Sequence, residues 1–306
     1  MAEPERHPRL GYGMALAAAT LWAVNGVVSK VIIESGDVPA QRLTEVRTTG
    51  AFLLLLPALA VARPQSLRVT RAELPMLLTF GVGLAFVQWF YFEAISRLDI
   101  GVALLIQYVA PVLVALWARF AYHEPVRRRI WAALALSILG ISLLVELWEG
   151  LTLDGLGVAA ALGSAVTFAF YILSAERAVT RRDPLSLVCY GFLLASIFWA
   201  LVQPLTSFPY ERVDDTVSLL GRLEDVSLPV WLLMAWMVVL GTIVPFALLA
   251  ASLRHISASR AAITAMFEPV AATAFAFAWL GESLTAGQLV GACVVLGAIV
   301  LAQTAR

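Results

Sequence analysis

The sequence predicts an all-α integral membrane protein with ten transmembrane helices, arranged as two inverted five-helix repeats. Three observations carry this prediction. Hydrophobic residues occupy 61% of the 306 positions and charged residues only 14%, against about a quarter charged in soluble domains. Apolar runs of roughly the 20 residues that cross a bilayer recur from Leu10 almost to the C-terminus. Marker residues of the first half return in the second at a nearly constant offset.

The first span, Leu10 to Ile33, follows the polar tail MAEPERHPR. It outruns the roughly 7 to 15 apolar residues of a signal peptide and therefore reads as a membrane helix. Ala40 to Ala62 comes next, interrupted by Arg42, Glu45 and Arg47, then Leu74 to Ser96, Ile100 to Tyr122 and the short run Ile130 to Leu147. The second half supplies Leu156 to Ala175, Leu185 to Leu205, Leu228 to Ala250, Ala258 to Leu280 and Leu284 to Ala305. Two repeat domains follow, 10–147 and 155–305. The longest stretch between spans, Thr206 to Ser227, is acidic and is expected to be a mobile loop.

Charge distribution orients the chain, because Lys- and Arg-rich loops stay cytoplasmic. With the N-terminus inside, the inner segments hold Arg6, Arg9, Arg63, Arg68, Arg71, Arg119, Arg127, Arg128, Arg129, Arg177, Arg181, Arg182, Arg254, Arg260 and Arg306, fifteen of the 21 Lys and Arg residues. The outer segments collect acids such as Asp37, Asp99, Glu149, Asp154, Asp214 and Asp215. Both termini are thus expected in the cytoplasm, and the chain in a bacterial inner membrane. Net charge is zero, which gives no footing for a nucleic-acid partner. Cys189 and Cys293 lie in apolar runs and read as small core residues rather than a disulfide or metal site. No metal or cofactor is expected.

FAYHEPV at Phe120 to Val126 aligns with AWLGESL at Ala278 to Leu284. This sets Glu124 opposite Glu282 and Pro111 opposite Pro269, both 158 residues apart, while Gly11 and Gly13 match Gly155 and Gly157 at an offset of 144. A repeat with an odd number of spans must enter the membrane from the other side. Inverted repeats are a recurrent plan of secondary transporters, whose halves exchange roles around a midplane site.

The chain resembles the drug/metabolite transporter superfamily, in its EamA group of two five-helix repeats. The residues that carry the resemblance are Trp22 and Asn25, Arg47, YFEAI at Tyr91 to Ile95, APV with Pro111, Glu124, FEPV at Phe267 to Val270 and GESLTAGQLVG at Gly281 to Gly291. The resemblance implies transport of small metabolites such as amino acids, with both termini cytoplasmic. Related sequences often carry Glu where Gln107 stands, which argues against titration at that position.

A charge near the bilayer centre costs at least roughly 2.5–3.5 kcal/mol and needs a partner or a purpose. Glu268 lies mid-span directly before Pro269 and is the leading candidate for contact with a solute or a proton. A structural ion pair, with Arg47 as partner, is the alternative. Arg47 sits about 10 Å into its span and suits a substrate carboxylate, or, with Glu45 and Glu93, an outer gate. Gln88, Trp89, Gln107, Tyr108, Asn25, Tyr171 and Thr264 offer polar or aromatic groups to a solute cavity, though for any one of them hydrogen bonding between helices is the commoner explanation. Glu124 and Glu282 read as helix-end capping or charge balance, and the run Arg127 to Arg129 as a topology determinant.

The sequence holds no G-x-x-x-x-G-K-[ST] loop, H-E-x-x-H or G-x-S-x-G run, and His7, His123 and His255 all flank spans. These absences argue against a self-powered pump and against an enzyme. The expected partners are a small-molecule solute and membrane lipid, with proton coupling and oligomeric state open. A lipid scramblase or a non-transporting scaffold is the alternative to a secondary exporter.

Overall fold

The computed structural model describes residues 7–98, 100–123, 126–146, 154–203, 206, 208–281 and 283–304, without the side chains of residues 100 and 101. Arg6, Asp99, Glu124, Glu149, Glu282 and Arg306 lie outside the described residues, as do the expected span ends Leu147, Leu205 and Ala305.

The first half comprises α1 (Pro8–Gly36), α2 (Ala40–Ala62), α3 (Leu74–Ile95), a fourth span split into α4 (Ile100–Gln107) and α5 (Ala110–Phe120), and α6 (Arg128–Leu144). The second half comprises α7 (Gly155–Ala178), α8 (Pro184–Val202), an eighth span of α9 (Val230–Val238) and α10 (Val244–Ser252), a ninth of α11 (Ala258–Ala265) and α12 (Phe267–Phe275), and α13 (Ala286–Gln303). Among the described residues nine spans are long and apolar enough to cross a membrane; α6, with 17 residues, is the tenth and shortest.

The helix starts follow local chemistry. Asp154 accepts from the Gly157 amide and Asp183 from the Ser186 amide, while Thr285 and Gln288 form a reciprocal capping box. The three interrupted spans are proline effects. Pro111, Pro245 and Pro269 have no N–H for the carbonyls of Gln107, Gly241 and Ala265 four residues earlier. The fourth and ninth spans break at the equivalent places, before Pro111 and Pro269. The eighth instead bulges into a π turn, Val239–Ile243, where the Thr242 hydroxyl donates to the Met237 carbonyl at 2.9 Å.

Packing is unchanged in pattern when the halves are exchanged. α3 lies against α7 as α1 lies against α10; α7 contacts α4 and α5 as α1 contacts α11 and α12; α2 with α8, α6 with α13, and α5 with α11 map onto themselves. Five spans per half then require opposite insertion. At the closest seam, a Cβ on Gly140 would fall 2.9 Å from the Gly291 carbonyl, and one on Gly291 would fall 2.6 Å from the Gly140 carbonyl. Buried Ala133 and Ala298 occupy the repeat-related positions, so small residues line this interface from both helices.

The first and last described residues, His7 and Thr304, lie on one face, here the termini face: Arg129 bonds the Thr304 carbonyl at 3.4 Å, and the His7 amide donates to His255 at 3.4 Å. On this face buried Arg182 clamps the connection before α3. Its Nε donates to Ser186 at 2.9 Å, Nη1 to Glu73 at 3.1 Å and Nη2 to the Ser66 carbonyl at 2.6 Å, with Tyr190 beneath the guanidinium. Arg254 adds bonds to the Val179 and Arg182 carbonyls at 3.2 and 3.0 Å. Three interhelical connections are thereby joined.

The opposite face carries the segment expected to be a mobile loop, and its described residues hold a small antiparallel hairpin. Strands β1 (Thr216–Ser218) and β2 (Ser227–Pro229) pair antiparallel, and Phe208, Val217 and Leu219 are buried against Val28, Val31 and Ile32 of α1. Trp279 donates to the Leu219 carbonyl at 2.9 Å, and Arg212 pairs with Asp37 at 3.2 Å. The apolar residues spaced among the acids supply a core for the hairpin. A correction concerns Cys293, which is exposed on α13, whereas Cys189 is buried.

Candidate functional site

The two proline breaks place side chains from symmetry-related spans face to face. Glu268 stands in the first turn of α12, about 15 Å into the ninth span, close to the middle of a core roughly 30 Å thick. Tyr108 occupies the matching break of the fourth span, and its hydroxyl donates to Glu268 Oε2 at 3.1 Å. Arg47 enters from α2; its Nε donates to the Thr242 hydroxyl at 3.2 Å, and its guanidinium lies 6.0 Å from the Phe246 ring centre.

Proton bookkeeping shows what these bonds leave over. Thr242 sends its own proton to the Met237 carbonyl, so it meets Arg47 as an acceptor. Among the described residues no hydrogen bond engages the Arg47 terminal nitrogens or the second Glu268 oxygen. Arg47 and Glu268 lie within electrostatic reach of each other, with Tyr91 near both, yet they form no direct ion pair among the described residues. Arg47, Glu268 and Tyr91 all remain partly exposed although they sit deep in the bundle. Such an arrangement sets a cation and an anion near each other without joining them.

Phe246 links this charged pair to an aromatic wall. Trp22 meets its ring at 5.1 Å, Phe192 at 5.3 Å and Tyr171 at 6.1 Å. Asn25 lies alongside, where Gly241 allows close approach: a Cβ there would be 2.1 Å from Asn25 Oδ1. Asn25 Oδ1, the Tyr171 hydroxyl, the Trp22 N–H and both amide atoms of Gln88 are buried without a hydrogen-bond partner among the described residues. Gln107 donates to Ser164 at 2.7 Å, and Ser164 donates to the Val87 carbonyl at 3.3 Å.

The structure thus brings Arg47, Tyr108 and Glu268 together, with Tyr171 beside Phe246 and Asn25 against Gly241. Other sequence candidates lie elsewhere. Thr264 bonds the Arg260 carbonyl of its own helix at 2.7 Å, and Trp89 is exposed against Phe86 and Phe90. Glu45 is buried and pairs with Arg42 at 2.8 Å, while Glu93 pairs with Arg97 at 2.6 Å, and among the described residues neither forms an ion pair with Arg47. Tyr91, Thr242 and Phe246 were missed as site residues. Thr242 and Phe246 sit in the apolar run GTIVPF, where Pro245 was the available sign of an irregular helix.

Comparison with known proteins agrees with this architecture. The family model described as the EamA-like transporter family matches twice, at residues 9–146 and 155–304. The chain is similar to the threonine/homoserine exporter RhtA of Salmonella typhimurium, 28% identical over 85% of this chain and 81% of that one. The RhtA of Escherichia coli K12 is likewise 28% identical, over 87% and 81%. An uncharacterized inner membrane transporter of S. typhimurium, YicL, is 24% identical over 96% and 95%. A solved crystal structure shares the fold with a TM-score of 0.78 over 95% of this chain and 96% of its own, at 18% identity. With ten spans in two packed halves and the family matched across both, this chain belongs to the EamA-like transporter family and is a multi-pass membrane transporter.

Proposed function

We propose that the chain exports small zwitterionic metabolites, amino acids foremost, across a bacterial inner membrane by alternating access, with both termini in the cytoplasm. The observation that carries this reading is the separated pair Arg47 and Glu268, each held by a neutral hydroxyl rather than by the other. In a low-dielectric interior an unneutralised charge is costly. A ligand with a carboxylate toward Arg47 and an ammonium toward Glu268 relieves both. The relatives named as threonine/homoserine exporters support the same substrate class.

Access to the site supports the cycle. Toward the termini face, Leu249, Leu253, Ile256, Ala258, Ala261 and Ala262 form buried core, and Arg182 ties the connections there. Exchanging the conformations of the two halves would reverse which side is sealed.

Counterflow of radiolabelled threonine in proteoliposomes tests the reading. Free threonine and homoserine should compete, whereas threonine methyl ester and N-acetylthreonine, each lacking one charge, should compete poorly. Equal competition by all four, or no flux above protein-free liposomes, would overturn it.

A further inference from the structure

A cavity of about 1200 Å³ opens on the termini-side half, between α3, α5 and α7, away from the charged pair. It is larger than the roughly 300–1,000 Å³ typical of small-ligand sites. Its walls are apolar: Leu116, Trp117, Phe120, Val166 and Phe170 line it and are exposed. Along α7 the cavity runs from Val166 to Arg181, about 22 Å at helical rise. That distance is one leaflet of hydrocarbon, half of roughly 30 Å, plus the headgroup zone above it.

The rim at the membrane surface is cationic. Arg177 and Arg181 both border the cavity and are exposed; among the described residues neither guanidinium has an acidic partner, and Arg177 rests on the Tyr122 ring at 4.2 Å. The nearby acid, Glu176, is engaged with the Ala258 amide at 2.6 Å, at the start of α11. An apolar trough one leaflet deep with arginines at the headgroup level matches an anionic phospholipid: phosphate between the guanidinium groups, acyl chains along Val166, Phe170 and Trp117. Basic pockets between transmembrane helices are established sites for such headgroups.

We propose that this cavity is a binding site for one anionic phospholipid, drawn from the leaflet on the termini face and separate from the solute site. The site would fasten the outer surface of α5 and α7, the helices that meet at its walls.

The test uses the purified full chain in a neutral detergent, titrated with phosphatidylglycerol or with phosphatidylcholine of the same chains, and read by native mass spectrometry and melting temperature. Phosphatidylglycerol should bind preferentially and raise the melting temperature more. The double variant Arg177→Gln, Arg181→Gln should lower its affinity about tenfold or more, the weight of two basic residues at an anionic surface. Val166→Trp, which fills the trough and leaves the arginines, should weaken both lipids, and Arg128→Gln, an exposed arginine on the same face, should change nothing. Equal response to the two lipids in the wild type, or an unchanged phosphatidylglycerol preference in the double variant, would overturn the proposal. Protection by inorganic phosphate alone equal to that by phosphatidylglycerol would overturn it as well, by showing a bare anion site.

Discussion

The hydroxyl of Tyr108 donates to Glu268 across 3.1 Å, joining the broken fourth span of one half to the broken ninth span of the other. Because Tyr108 satisfies only one carboxylate oxygen, Glu268→Gln keeps a side chain of the same shape and deletes the charge. Losing a charged partner in a dry site costs about 2–5 kcal/mol, so threonine affinity should fall on the order of a hundredfold or more while folding persists. Tyr108→Phe removes a bond to a charged acceptor worth about 1.5–3 kcal/mol and should cost about tenfold or more. Counterflow kinetics measure both, and unchanged kinetics in the glutamine variant would remove Glu268 from the site.

Arg47 depends on geometry as well as charge. Arg47→Lys retains a cation but has no Nε–H for Thr242 and no planar fork for a carboxylate. Transport should fall strongly in Arg47→Lys and further in Arg47→Gln, whereas Thr242→Val should raise the KM with a smaller change in maximal rate. If lysine restores full transport, the guanidinium is acting as a simple charge.

At the α6 and α13 seam there is no room for a methyl group. Gly140→Ala and Gly291→Ala should each destabilise the protein by about 1–3 kcal/mol, and the leucine variants should fail to fold. Thermal unfolding in detergent checks this; a melting temperature unchanged by Gly291→Ala would mean that the helices separate freely.

The Arg182 clamp predicts a pH dependence on the termini face. Hydrogen bonds from the Thr70 amide and hydroxyl hold the Glu73 carboxyl below its ordinary value of 4.5, and Arg182 adds to them. A depressed folded value means that the stabilisation is present above pH 4.5 and lost as pH falls through the folded value. The stability advantage of wild type over Glu73→Gln should therefore be constant from neutral pH down to about 4.5 and vanish below it. Arg182→Gln, which loses several charged hydrogen bonds, should cost about 2–3 kcal/mol at neutral pH. An advantage that grows on acidification contradicts the assignment.

The hairpin on the far face should be held by Trp279. Trp279→Phe removes the bond to the Leu219 carbonyl, worth about 0.5–1.5 kcal/mol, and should speed proteolysis between α8 and α9 without altering helix content. Equal cleavage rates would show that the buried Phe208, Val217 and Leu219 suffice.

Span number and the inverted repeat were legible because hydrophobicity and the Pro111 and Pro269 markers act locally. Glu268 stood out for the same reason, as a charge inside an apolar run. Tyr91, Thr242 and Phe246 did not, since a tyrosine, a threonine and a phenylalanine in membrane helices usually serve packing; only contacts between distant spans give them a role. The hairpin was not legible because acidic residues dominate its composition, while the alternate Val217 and Leu219 that fold it are few. Glu45 and Glu93 shared a depth with Arg47 in the sequence, but each pairs with an arginine one helical turn away along the chain, Arg42 and Arg97.

The brevity of α6 shapes the surroundings of the protein. Glu146, with φ 50°, ends that helix at its far side, and 17 residues reach only about 25 Å. Its neighbour α13, at 18 residues, is hardly longer. Both helices are a few ångströms short of the roughly 30 Å hydrocarbon core, a mismatch that costs fractions of a kcal/mol per ångström. The transporter should dimple its bilayer on one side and favour membranes, or neighbours, that are already thin there.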